Sequence, residues 1–111
     1  MVENEVYFLS FQEFRQMAPA ILDLEVKRLA GLIDDVSAAE RNDLVWARHN
    51  VMESVAAIEQ LDKDRLESDC APLLEAAMIT IGLLTDRVDR VTLQYVLNRL
   101  TYVRERIPYV V

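Results

Sequence analysis

The fold is decided by one stretch of the sequence, LDLEVKRLAGLIDDVSAAERNDLVWARHNVMESVAAIEQL (22–61). Its first part spaces apolar residues by three or four positions, as on one face of an α-helix; they are Leu22, Val26, Leu29, Ile33 and Val36. Its second part repeats that spacing in Leu44, Ala47, Val51, Val55, Ile58 and Leu61. Between the two, Ser37 and Glu40 have the spacing of a capping box, in which each side chain binds a free backbone N–H. The stretch therefore predicts two successive amphipathic helices, the second beginning at Ala38.

On the N-terminal side, Ser10 and Glu13 form a second capping-box pattern, which predicts a short helical turn over 11–17. Pro19 follows, and proline is tolerated in the first turn of a helix, where its missing N–H is not needed. We therefore expect the first long helix to start anew at Pro19.

On the C-terminal side, Asp69 and Pro72 predict the start of a third helix that is apolar nearly all round. Beyond Asp86 a new apolar stripe begins, made of Leu93, Val96, Leu97, Leu100, Val103 and Ile107. Pro108 ends it. The pattern leaves open whether 71–107 form one helix or two that break near Asp89.

These observations predict a single all-α domain over 1–111, with an N-terminal arm over 1–9. Three to four antiparallel amphipathic helices are expected, at about 19–35, 38–61, 71–88 and 90–107. Hydrophobic residues make up 52% of the chain, whereas globular domains average about 45–50%. Long helices form thin bundles with little interior, so we expect homodimerisation to complete this one.

The formal charge of −7 is unevenly distributed, since residues 1–75 carry 7 basic and 16 acidic side chains. Such a chain should be repelled by nucleic acid, whose phosphates are bound by clustered Lys and Arg. No membrane segment is expected, because the most apolar run, 71–84, is shorter than the ~20 residues that cross a bilayer. The start of the chain is acidic, unlike a signal peptide. The lone Cys70 suits the reducing cytoplasm, where we expect the protein to reside.

Residues with catalytic or metal-binding chemistry are sparse. His49, the only histidine, and Glu53 could provide two ligands from one helix face, but a surface pair is favoured. The acidic segment 62–69 lacks the glycine and glutamate that a calcium loop requires. Gly31 and Gly82 stand alone, so no phosphate-binding loop is present. We expect a protein that is not an enzyme and holds no cofactor or metal.

The two ends of the chain are the most informative anomalies, because aromatic and apolar residues are preferred anchors at interfaces. We predict that partner binding involves the aromatic arm and the last apolar stripe, that is Tyr7, Phe8, Phe11, Phe14, Leu93, Val96, Leu100, Val103 and Ile107. The alternative, that both ends complete the protein's own core, stays open. Trp46 and Met52 lie off the stripe of their helix and suggest a second contact face.

Five arginines form the only basic concentration, namely Arg87, Arg90, Arg99, Arg104 and Arg106. They could pair with acidic neighbours on an exposed face. They could also contact an acidic surface of a second subunit or of a partner.

The stretch GLIDDVSAAERNDLVWARHNVMESVAAIEQL (31–61) resembles the central helix of small quorum-sensing antiactivators of the TraM type. The ending IPYVV (107–111) is similar to theirs, and the length, acidity and helical content also resemble the QslA type. The resemblance implies a helical dimer that binds a LuxR-type transcription activator and disables it. Small acidic helical dimers with apolar grooves also serve as export chaperones, which is the alternative function.

Overall fold

The computed structural model describes residues 8–111. Four helices make up most of it: α1 (Phe11–Ile33), α2 (Ala38–Gln60), α3 (Ala71–Leu84) and α4 (Arg90–Arg106). Shorter turns of 3-10 type lie at Lys63–Arg65 and Ile107–Tyr109, and a π-helical turn lies at Leu66–Cys70. The predicted all-α fold is confirmed. The question left open over 71–107 is also answered, because a turn separates α3 from α4.

The capping box at the start of α1 is formed as predicted. The backbone N–H of Glu13 donates to Ser10 Oγ at 3.0 Å, and that of Ser10 donates to Glu13 Oε1 at 3.2 Å. Helix α2 also begins at the predicted Ala38, but the Ser37 side chain accepts no cap hydrogen bond from its first turn. Instead, the side chain of Arg41, in the first turn of α2, donates to the backbone oxygen of Ile33 at the end of α1, at 3.2 Å.

Pro19 does not begin a helix, and that prediction is wrong. Helix α1 runs unbroken from Phe11 through Pro19, although an internal proline lacks one backbone donor and crowds the preceding turn. The side chains of Phe14, Ala18 and Leu22 are fully buried on both sides of it. Burial of this continuous face offsets the local cost, because packing decides helical stability more than propensity does.

The start of α3 also differs from the prediction. Asp69 does not cap the helix; it lies in the π-helical turn and forms an ion pair with Arg65 at 2.6 Å. The turn continues directly into α3 at Ala71. Asp89 caps α4, since its carboxylate accepts from the Thr92 backbone N–H at 3.1 Å and from Thr92 Oγ1 at 2.8 Å. Both bonds lower the pKa of Asp89, and the backbone N–H of Thr92 has the larger effect.

The helices form an antiparallel four-helix bundle, in which α1 and α3 each pack against both α2 and α4. At one end, Arg15 near the start of α1 donates to the backbone oxygen of Glu59 near the end of α2. At the same end of the α3–α4 pair, Arg104 binds Glu75 at 2.7 Å. At the other end, the α1–α2 and α3–α4 turns line one shallow depression. The body is flat, 44 × 36 × 20 Å.

The two ends of the described chain lie side by side. Leu9 pairs in parallel with Val110, donating to the Tyr109 oxygen at 3.2 Å and accepting from the Val111 N–H at 2.9 Å. The Phe8 ring meets the Tyr109 ring edge-on, with centroids 6.0 Å apart. The arm and the tail therefore bind each other within one protomer.

Replacing Pro19 with alanine should stabilise the fold, because it restores a helix hydrogen bond at a site already held in helical geometry. We expect the free energy of unfolding in urea to rise by about 1–3 kcal/mol. Pro72 lies in the first turn of α3, so Pro72→Ala is the matched control and should change little. An equal rise in the free energy of unfolding for both variants would contradict the explanation that Pro19 costs stability through its missing helix hydrogen bond.

Candidate partner-binding surfaces

The apolar stripe of α4 that was predicted to bind a partner faces the protein's own core. Leu93, Val96, Leu100 and Val103 are fully buried and Ile107 is nearly so. The stripe is real, but it is covered by the other helices of the same chain. A partner could reach these five residues only by displacing those helices.

The aromatic arm is divided between core and surface. Phe14 is fully buried, Phe11 is half-buried with the Arg15 guanidinium 5.3 Å from its ring centre, and Phe8 is exposed. Tyr7 lies outside the described residues. Of the predicted partner-binding residues that the structure describes, Phe8 is therefore the one that offers most of its side chain to a second molecule.

The exposed side of α4 carries a different set of residues, which the sequence prediction missed. Tyr95, Tyr102 and Tyr109 follow one another at intervals of seven residues, so they lie along one side of the helix and the turn after it. Val91, one helical turn before Tyr95, is 80% exposed, and Tyr95 is 47% exposed. The spacing of the tyrosines is visible in the sequence and was the available signal.

Arginine side chains lie over these rings. The Arg28 guanidinium, from α1, is 4.5 Å from the ring centre of Tyr95. Those of Arg106 and Arg99 are 3.4 and 5.4 Å from the ring centre of Tyr102. Such contacts are worth about 0.5–1 kcal/mol each at exposed sites and hold both groups in place. We call this surface the tyrosine face; it consists of Val91, Tyr95, Tyr102, Tyr109, Arg28, Arg99 and Arg106.

A buried carboxylate lies beneath the tyrosine face. Glu25 is 1% exposed, and its Oε1 lies 3.0 Å from Arg28 Nε. Burial raises the pKa of Glu25, while the charges of Arg28 and Arg99 oppose the rise. The carboxylate thus attracts one arginine from α1 and one from α4. It helps to position Arg28 over Tyr95.

The C-terminal arginines have separate roles. Arg104 pairs with acidic neighbours, at 2.7 Å from both Glu67 and Glu75, which is the exposed pairing expected from the sequence. Arg99 and Arg106 instead contact the ring of Tyr102. The basic concentration therefore includes a structural ion-pair network and part of an exposed aromatic surface.

Helix α2 presents a second exposed group. Trp46 and Met52 lie off its buried stripe, as predicted, and both are at least half exposed. With Val45 and His49 they line a shallow depression of about 360 Å³. The Trp46 and His49 rings stack with centroids 6.2 Å apart. Whether this depression receives a partner stays a prediction.

The residues considered for metal binding or nucleophilic chemistry are dispersed. His49 Nε2 lies 3.5 Å from Glu53 Oε1 on the exposed side of α2, and residues 8–111 contain no group of three His, Cys, Asp or Glu that could hold a metal ion. Cys70 is fully buried with its Sγ 3.8 Å from the Ser54 oxygen. Burial raises the pKa of its thiol to about 12, against a smaller opposing effect of Arg104.

Comparison of the chain with models of known protein families, with curated proteins and with solved structures found no match. Within residues 8–111, no helix has both the length and the apolar character that crossing a membrane requires.

Glu25 should make stability depend on pH in a defined direction. Because its folded-state pKa is raised, its contribution is most favourable below its unfolded-state pKa and is lost as pH rises through the folded value. The stability of Glu25→Gln relative to the wild type should therefore increase as the pH rises from 4 to 7, because only the wild type loses this contribution. Urea unfolding of both proteins measures the difference. Asp23→Asn, at an exposed site on the same helix, is the control. A constant difference between Glu25→Gln and wild type would refute the effect.

Cys70 should be unreactive in the folded protein, because the thiolate is the reactive form and its pKa is about 12. An aromatic disulfide reagent at pH 8 should label it at least ~100-fold more slowly without urea than in urea. A Cys70→Ser/Ser68→Cys variant, whose thiol occupies an exposed position, should react rapidly in both. Fast labelling of native Cys70 would show that this part of the core opens readily.

Proposed function

We propose that this protein is a non-catalytic regulatory protein that binds and sequesters a protein partner in the cytoplasm, as an antiactivator of a LuxR-type quorum-sensing transcription factor. The observation that carries the binding role is the tyrosine face. The identity of the target rests on the resemblance of 31–61 to antiactivators of the TraM type.

The composition of the tyrosine face supports a protein-binding role. Tyrosine and arginine are, with tryptophan, the residues most enriched among those that dominate binding energy at protein interfaces. The arginines already stacked on Tyr95 and Tyr102 lose little freedom when a partner arrives. A pre-ordered surface binds more tightly because less side-chain entropy is lost on association.

The chemistry of this face also indicates what it binds. Arg28, Arg99 and Arg106 give it positive charge, and the tyrosine rings give it apolar area. An amphipathic helix with carboxylates beside its apolar stripe would satisfy both. If the target uses such a helix for its own dimerisation, binding here would replace that contact. No covalent chemistry is then needed to disable it.

The proposal is tested by affinity capture from the native host with two matched variants. Tyr95→Ser/Tyr102→Ser alters the tyrosine face, and Trp46→Ser/Met52→Ser alters the exposed side of α2. A LuxR-type regulator recovered with the wild type and the α2 variant, but not with the tyrosine variant, is the expected result. An export substrate recovered in its place would favour the chaperone function, and recovery of the protein alone would contradict both.

With the captured partner purified, Tyr102→Ala should weaken binding by about 30-fold or more, since central tyrosines commonly contribute at least ~2 kcal/mol. Isothermal titration calorimetry measures the change. Trp46→Ala should leave the dissociation constant within about 3-fold of wild type. The reverse ranking would place the partner on α2 instead.

A further inference from the structure

We propose that the exposed side of α3 is a self-association surface on which a second copy of this chain packs antiparallel, about a two-fold axis beside Ile79 and Leu83. This surface is separate from the tyrosine face. The proposal does not depend on the identity of any other partner.

The first observation is the unusual apolar character of this surface. Ile79 is 65% exposed and Leu83 is 72% exposed, one helical turn apart on α3. No charged residue occurs between Glu75 and Asp86. Helix α3 is thus buried on one side against α2 and α4 and remains apolar on the other, whereas surface helices normally have a polar outer face.

The second observation is Gly82, which is exposed and lies three residues after Ile79, so that it borders the same surface. A Cβ atom added there would meet no atom of the described chain within 4 Å, so packing within the protomer does not require glycine. Glycine inside a helix destabilises it relative to alanine. Its absent side chain leaves bare backbone, against which a second helix can approach closely.

The third observation identifies the occupant as a second copy. Glu75, Ile79, Leu83 and Arg87 follow at steps of four residues, and the Val88 N–H still donates to the Leu84 oxygen at 3.1 Å, which keeps Arg87 within a helical turn. Arranged antiparallel about the midpoint, Ile79 meets Leu83 of the second copy. Glu75 then meets Arg87 of the second copy, and the same contacts occur twice.

The charges at the two ends of this surface are available for such contacts. Arg87 is exposed and forms no ion pair with any residue of 8–111. Glu75 contacts Arg104 but remains about half exposed. Opposite charges placed symmetrically about an uncharged centre make the surface complementary to itself, as a two-fold interface requires.

The area of the α3 surface determines how strongly the two copies are expected to associate. A stable interface usually buries about 800 Å² on each partner, and one helix face supplies only part of that. The dimer should therefore depend on concentration. Sedimentation velocity of the wild-type chain over about 1–500 μM should show a monomer–dimer equilibrium.

The decisive variant is Leu83→Glu, which places two additional carboxylates near the axis, one from each copy, and each of them opposite Ile79 of the other copy. Because Leu83 is exposed, the fold should persist, as circular dichroism will verify. The dimer dissociation constant should rise at least about 10-fold. Val91→Glu makes the same change at an exposed site on α4 and should leave the dimer dissociation constant unchanged. Monomerisation by Val91→Glu alone would overturn the proposal and assign self-association to the tyrosine face.

A second pair of variants tests the role of glycine. Gly82→Gln and Gly31→Gln both fill open space on an exposed helix surface and should both leave the fold intact. Only Gly82→Gln should weaken the dimer, again by about 10-fold or more. Equal effects of the two variants, or a wild-type protein that is monomeric throughout the concentration range, would overturn the proposal.

Discussion

Burial of one face of each helix against its two neighbours in the bundle is the interaction on which the rest of this structure depends. It holds α1 in one piece through Pro19, where local rules predict a break. It fixes the start of α2 although Ser37 makes no cap bond, and it carries a π-helical turn directly into α3. At each of these points the local signal is weaker than the burial of Phe14, Leu22 and similar core residues. Most helical stability in proteins comes from packing of an amphipathic face and not from local propensity, so such dominance by packing is expected.

The inner faces of the helices are buried in the core of the bundle. Any function of the described chain must therefore reside on the exposed surfaces of the helices. Their outer surfaces differ in chemistry. That of α4 is aromatic and basic, whereas that of α3 is aliphatic and uncharged around Gly82. A two-fold contact favours a surface without net charge, while an aromatic surface with ordered arginines suits a different molecule of opposite charge. The two proposed interactions therefore use separate helices and do not compete for the same side chains.

The buried Glu25 connects the core to the proposed binding surface. An ionised carboxylate away from water is costly unless cations compensate it, and Arg28 and Arg99 lie close enough to oppose the rise in its pKa. The same arginines lie over Tyr95 and Tyr102. Compensation of the buried Glu25 carboxylate thus helps to fix the orientation of Arg28 and Arg99 on the exposed surface.

The sequence by itself determined the helical class, the capping box at Ser10 and Glu13, and which residues share a face of each helix. These follow from spacings of three to four residues and from local hydrogen bonding. Only the tertiary structure decided that Leu93, Val96, Leu100 and Val103 are covered by their own chain, that the arm and the tail pair with each other, and that Arg28 reaches Tyr95. A periodic pattern shows which face of a helix avoids water, but it contains no information about which molecule covers that face. That depends on contacts between residues far apart in the chain.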